Sequence, residues 1–251
     1  MSIESTADWK GLRAVGKVVH LTLEALEAQV RRGVSTAELD AIAASVLARH
    51  RARSAPALVY GFPGTVLISI NDEVVHGVPG PRRLEDGDIV KLDVTVEKNG
   101  YVADAARTVI VGSGTETARR LVACVSAAFE AALAVARAGN RVNVIGRAVE
   151  HEVRRRGFSV VRGLTGHGVG RTIHEAPPVP NEYDPWQQDV LTDGLVLTIE
   201  PMISAGTAHA VQDRNGWTMC TRDGSLAAHH EHTLVITRGQ PMILTAGATA
   251  A

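Results

Sequence analysis

Asp93, Asp104, His167, Glu200 and Glu231 are the side chains of this sequence whose types and surroundings point most directly to chemistry. Four carboxylates and one imidazole are hard, mostly anionic donors. Such a set suits a pair of divalent cations better than one structural zinc, which prefers cysteine and histidine. Cations held this way polarise a carbonyl and make water nucleophilic near neutral pH. The expected chemistry is hydrolysis.

The first two carboxylates lie on a predicted hairpin. Val90–Glu97 and Tyr101–Thr108 flank Lys98-Asn99-Gly100, and Asn-Gly is a strong hairpin signal because a type I′ turn needs positive φ at both central residues. With Asn99-Gly100 as the loop, Lys98 opposes Tyr101, Thr95 opposes Asp104 and Asp93 opposes Ala106. Asp93 and Asp104 then share a face on a diagonal, with backbones ~7–8 Å apart. Taken alone, the pair fits two solvated carboxylates on an exposed face equally well.

The other donors sit in local settings that need an explanation. His167 lies in Gly166-His167-Gly168-Val169-Gly170-Arg171, which is no phosphate loop, because Pro177 and Pro178 forbid the helix such a loop requires. A glycine-flanked histidine in an extended turn instead presents its imidazole to a cleft, with His174 bracketing the same turn. Glu200 ends the apolar run Leu195–Ile199, where an unpaired carboxylate would be costly, so a metal or a salt bridge is its natural partner. In Ala228–Val235 the alternation puts Glu231 on the face of His229 and Thr233. His230 and His232 point away, so the three histidines form no zinc cluster; His229 is left beside the ligands and the other two are structural.

The elements that position these residues repeat. Apolar spacing predicts a helix over Trp9–Arg32, stopped at Gly33, and a second from the capping box of Ser35 and Glu38 to about His50. Strands fill Thr65–Val111. Helical spacing returns over Thr115–Ala138, stops at Gly139, restarts over Val142–Arg156, and yields to strands over Phe158–Val235. The order helix, glycine, helix, hairpins occurs twice. It implies an α+β fold in which the strands of two similar halves, about 1–112 and 113–251, make one curved antiparallel sheet with helices on the outer face.

Length allows two small domains or one larger one; without a linker or charge block, a single domain over residues 1–251 is expected. A formal net charge of −1 argues against a polyanion binder, so no DNA partner is expected. The Arg154-Arg155-Arg156 run ends a helix, as the macrodipole favours. Cys124 and Cys220 form no CxxC or Cys/His cluster, which implies reduced thiols. The polar, acidic N-terminus is not a signal peptide, and Ser126 and Glu130 interrupt the most apolar helix, so a soluble cytoplasmic protein is expected.

Together these motifs resemble the type I methionine aminopeptidases. The resemblance rests on Asn71–Pro79, on Asp93 and Asp104 with ten residues between, on Gly166–Gly170 with His174-Glu175, on Thr198–Met202 and on Glu231–Thr233, in that family's order and across essentially the whole chain. It implies a pita-bread fold, with two pseudo-twofold related halves. It also implies that Asp93, Asp104, His167, Glu200 and Glu231 bind two divalent ions (Mn, Fe, Co or Zn), Asp104 and Glu231 bridging. Glu200 is then also the general base, His76 and His174 contact the substrate, and Phe62 and Trp217 wall the methionine pocket. The partners implied are nascent polypeptide N-termini, with the ribosome near its exit tunnel. The short Glu200–Glu231 interval lacks the insertion of the type II enzymes, and the short N-terminus lacks the extra domain of proline-specific relatives. Pocket positions that carry a cysteine and aromatic residues in familiar members are here Leu67, Val59 and Ile173, and Ala227 stands where some members use a serine hydroxyl on a monovalent cation near Asn71. A prolyl-selective aminopeptidase and a non-enzymatic module of the same fold are the other readings; retention of all five donors counts against the module.

Overall fold

The structure, a computed structural model, describes residues 1–247. Its helices are α1 (Thr6–Glu27), α2 (Thr36–Arg49), α3 (Ala55–Tyr60), α4 (Glu116–Val135) and α5 (Asn143–Arg155). The predicted capping box is formed: Ser35 Oγ accepts from Glu38 N at 3.2 Å and Glu38 Oε2 accepts from Ser35 N at 2.7 Å. Helix α1 stops before the predicted Arg32. Its last turn unwinds into three-residue turns, Gln29 N to Leu26 O and Val30 N to Glu27 O, which keep Val30 against the core. Gly33, at φ 85°, then donates its N–H to Leu84 O.

The hairpin register is the expected one. Strands Ile89–Lys98 and Tyr101–Ile110 pair Lys98 with Tyr101, Thr95 with Asp104 and Asp93 with Ala106, through Asn99 at φ 52° and Gly100 at φ 79°. Alternation then sorts the two faces. Leu92, Val94, Val96, Ala103 and Ala105 pack on the α1 side with Leu12, Val15, Val19, Leu23 and Leu26, all fully buried. Each such leucine or valine contributes about 1.5–3 kcal/mol relative to leaving it in water. Asp93, Thr95 and Asp104 point the other way, into a cavity.

The second half builds its own layer. α4 and α5 pack on each other and cover strands Val196–Ile199, Met202–Ser204 and Ala227–His229, around Leu121, Phe129, Ile145, Val149, Leu197 and Ile203. Backbone bonds join the halves: Ala106 N to Glu231 O at 3.2 Å, Glu231 N to Ala106 O at 2.9 Å, and Val102 N to Gly170 O at 2.8 Å. Among the described residues the strands pair into four sheets rather than one, and these bonds join the hairpin's sheet to the segments around Gly170 and Glu231 of the second half.

Candidate active site

One cavity of about 700 Å³ gathers side chains from both halves. Its lining includes Asp93, Asp104, His167, Glu200 and Glu231, together with His76, His174, Phe62 and Trp217. Every metal-donor, substrate-contact and pocket-wall candidate among these nine therefore meets the same space. Leu67 and Ile173 line it too. Val59 does not: it is 57% exposed on α3, because the helix turns that face to solvent. Tyr60 and Pro56 of the same helix reach the cavity instead. Sequence periodicity missed α3 since it spans less than two turns; Ser54 as N-cap and Gly61 at φ 72° as C-cap were its signals.

Three threonines orient the acids. Thr95 Oγ1 donates to Asp104 Oδ2 at 2.8 Å, and Thr198 Oγ1 donates to Glu200 Oε1 at 2.7 Å. Thr233 Oγ1 accepts from Asp104 N and donates to Asp104 O, both at 2.8 Å. Nothing in a strand threonine announces such a role, since threonine is a common strand former. What these bonds leave over is informative: Asp93 Oδ1, Asp104 Oδ1 and Glu231 Oε1 are buried and have no partner among the described residues.

His167 is aimed by its backbone. Its Nδ1 lies 2.9 Å from Gly168 O, which suits an Nδ1–H donor and leaves the Nε2 lone pair free, 3.4 Å from Glu200 Oε1. The flanking glycines are required by crowding: a Cβ on Gly168 would lie 2.3 Å from Ala176 O, and one on Gly166 2.7 Å from Thr198 O. The segment is the strand Gly166–Gly168 paired with Glu175–Val179, so the helix of a phosphate loop is indeed missing. His174 stands beside it with ring centroids 4.3 Å apart, and its Nδ1 is 2.5 Å from the Tyr60 hydroxyl. His76, at φ 61°, projects into the cavity from the turn after strand Glu73–Val75. Phe62 and Trp217 meet edge to face at 5.2 Å, forming an apolar corner.

The electrostatics are those of anions held together by the fold. Burial first, and the neighbouring acids second, push Asp93 and Glu231 well above the usual carboxylate range. Burial raises Glu200 likewise, and raises Asp104 to about 6 against the opposing hydrogen bond from Thr95. Burial lowers His167 to about 4 and His229 to about 3, so both imidazoles are neutral, as ligands must be. Buried acids with orphaned oxygens beside neutral imidazoles fit divalent cations, which supply the missing charge and the missing partners. Two groups of donors fall within 4.8 Å of one another: Asp104, His167 and Glu231, and Asp93, His229 and Glu231. Glu231 belongs to both.

The remaining histidines follow the alternation. His230 and His232 turn from the cavity onto Phe129 of α4, and His232 Nδ1 is 2.8 Å from Thr245 Oγ1. Near Asn71, the residue around which some members of the resembled family hold a monovalent cation, the Asn71 carbonyl accepts from Ala227 N at 2.9 Å and from Lys91 Nζ at 2.8 Å. Lys91 is 1% exposed, and burial lowers its pKa to about 7, so its amine supplies a hydrogen-bond donor at that carbonyl that is only partly charged near neutral pH.

Residues 10–238 match the model of metallopeptidase family M24. The chain belongs to that family. It is 42% identical over 247 residues to methionine aminopeptidase 2 of Bacillus subtilis, covering 98% of this chain and 99% of the relative. The methionine aminopeptidase of Thermotoga maritima superposes with a TM-score of 0.95 at 34% identity, over 98% of this chain and 100% of that one. These likenesses show the pita-bread fold and a metallopeptidase of the methionine aminopeptidase kind. Prolidase from Pyrococcus furiosus shares the fold at 22% identity and a TM-score of 0.78, and only 65% of its length is covered.

Proposed function

We infer that the chain removes the initiator methionine from nascent proteins by hydrolysing the first peptide bond when the second residue is small and uncharged. The observation that carries this reading is the convergence of five metal-type donors, two substrate-facing histidines and an apolar corner on one cavity, in a chain like methionine aminopeptidases from end to end. Since both halves contribute donors, residues 1–251 act as a single catalytic domain. The substrate implies a cytoplasmic enzyme that works near the ribosome's exit tunnel. Among the described residues no helix is long and apolar enough to cross a membrane.

Asp93, Asp104, His167, Glu200 and Glu231 would hold two divalent ions drawn from Mn, Fe, Co and Zn, with Asp104 and Glu231 shared. Such ions, when bound, supply Lewis acidity and lower the pKa of water. Glu200, fixed by Thr198, is the group assigned to take the proton from the attacking water. His174, with Nδ1 engaged by Tyr60, keeps Nε2 for the scissile carbonyl as negative charge develops on it. His76 contacts the amide nitrogen and favours departure of the amine. Burial and the nearby His174 lower the pKa of His76, so it is neutral at pH 7 and acts as a hydrogen-bonding group rather than a cation.

Specificity follows from the walls. Phe62 and Trp217 form a slot that a flexible, polarizable thioether fills well, with Leu67 and Ile173 shaping its depth. On a panel of Met-X-Ser peptides with the metal-loaded protein, Gly, Ala, Ser, Thr, Val and Pro at X are expected to be cleaved. Lys, Leu and Phe at X are expected to be refused. Equal cleavage across the panel would remove the second-residue rule.

A further inference from the structure

His229 is a buried imidazole with no explanation in the roles assigned above. It is 1% exposed, and neither Nδ1 nor Nε2 has a hydrogen-bond partner among the described residues. An orphaned buried polar group costs of order 1–3 kcal/mol, so a position that keeps two orphaned nitrogens needs a compensating partner. The ring is aimed at the acids: Nε2 lies 3.7 Å from Glu231 Oε2 and 3.9 Å from Glu200 Oε2. These separations are too long for hydrogen bonds. The separation from Glu231 is close to what two donors on one ion adopt, since bonds of about 2.0–2.2 Å leave neighbouring ligands roughly 3–3.5 Å apart, and Asp93 offers a third donor atom within 4.8 Å of both. Its neighbours His230 and His232 are spent on Phe129 and Thr245, so His229 alone of the three faces the carboxylates.

We propose that His229 Nε2 is a sixth protein ligand of the metal centre, on the ion held by Asp93 and Glu231. The inference rests on the reading that these acids bind divalent ions. Each ion then has one imidazole: His167 with Glu200 on one side and His229 with Asp93 on the other, with Asp104 and Glu231 shared between them. The consequence is selectivity. An all-carboxylate second position suits Mn²⁺, whereas one nitrogen donor shifts preference toward Fe²⁺, Co²⁺ and Zn²⁺.

Calorimetric titration of the chelator-treated chain with Co²⁺, alongside His229→Gln, tests this. Wild-type protein is expected to take up two equivalents. The variant should keep the first equivalent at near-native affinity and bind the second at least ~10-fold more weakly, the smaller end of what loss of a group at a metal site costs. Two equivalents at unchanged affinity in the variant would overturn the role of His229 and leave the five-donor reading intact. No uptake by the wild type would overturn both. Should His229→Gln not fold, proton NMR of the cobalt-loaded wild type decides: one hyperfine-shifted imidazole N–H is expected at one equivalent and a second at two. A single such signal at two equivalents contradicts the proposal.

Discussion

Asp104→Asn or Glu231→Gln is expected to abolish most activity and to lower metal content together. Glu231 is the donor common to both clusters of potential ligands, and Asp104 sits opposite it with one oxygen committed to Thr95 and the other unpaired. An amide keeps the size and the hydrogen bond but removes the negative charge that two cations would share. Even partners one step removed from a metal usually cost 10–100-fold when lost, so a shared anion should cost more than about 100-fold in turnover. Metal analysis of each purified variant against the wild type reads the first effect, and a Met-Ala-Ser assay reads the second. Two full equivalents of metal with near-native turnover in either variant would make the bridging assignment wrong.

His174→Ala is the complementary case. The imidazole is beside His167, has no carboxylate partner among the described residues, and its Nδ1 is held by Tyr60. The variant should therefore retain its metal and bind product, yet lose turnover by roughly 10²–10³-fold, the usual size for removing one donor to a developing oxyanion. The loss should fall on kcat more than on KM, since the interaction strengthens only as charge builds on the carbonyl oxygen. Loss of metal from this variant would instead make His174 a ligand and overturn the division between holding the ions and handling the substrate.

Much of the site was legible because its residues violate the rules of their surroundings. Two aspartates on one face of a hairpin, and a glutamate ending an apolar strand, are costly unless something pays for them; the Asn99-Gly100 turn sets the hairpin's register and period-two alternation sets the facing. The same alternation separated Glu231 and His229 from His230 and His232. The resemblance supplied His76, His174, Phe62 and Trp217, and all four do line the cavity. What stayed hidden is physically ordinary. α3 is too short to show a period, so Tyr60 went unnoticed and Val59 was put in the pocket when it faces solvent. Thr95, Thr198 and Thr233 look like any strand threonine until the first two hydroxyls are seen on the carboxylates of Asp104 and Glu200 and the third on the Asp104 backbone. The contact of Lys91 with the Asn71 carbonyl joins a strand residue to a turn residue twenty positions away, which no local pattern reveals.

The central claim is metal-dependent release of an N-terminal methionine, and one mass-spectrometric measurement addresses it directly. The chelator-treated chain, with and without added Co²⁺ or Mn²⁺, is incubated with Met-Ala-Ser, Leu-Ala-Ser and N-acetyl-Met-Ala-Ser. Free methionine and Ala-Ser are expected from the first peptide alone, and only when the metal is present. Leucine released as fast as methionine, or cleavage undiminished in the metal-free protein, would contradict it.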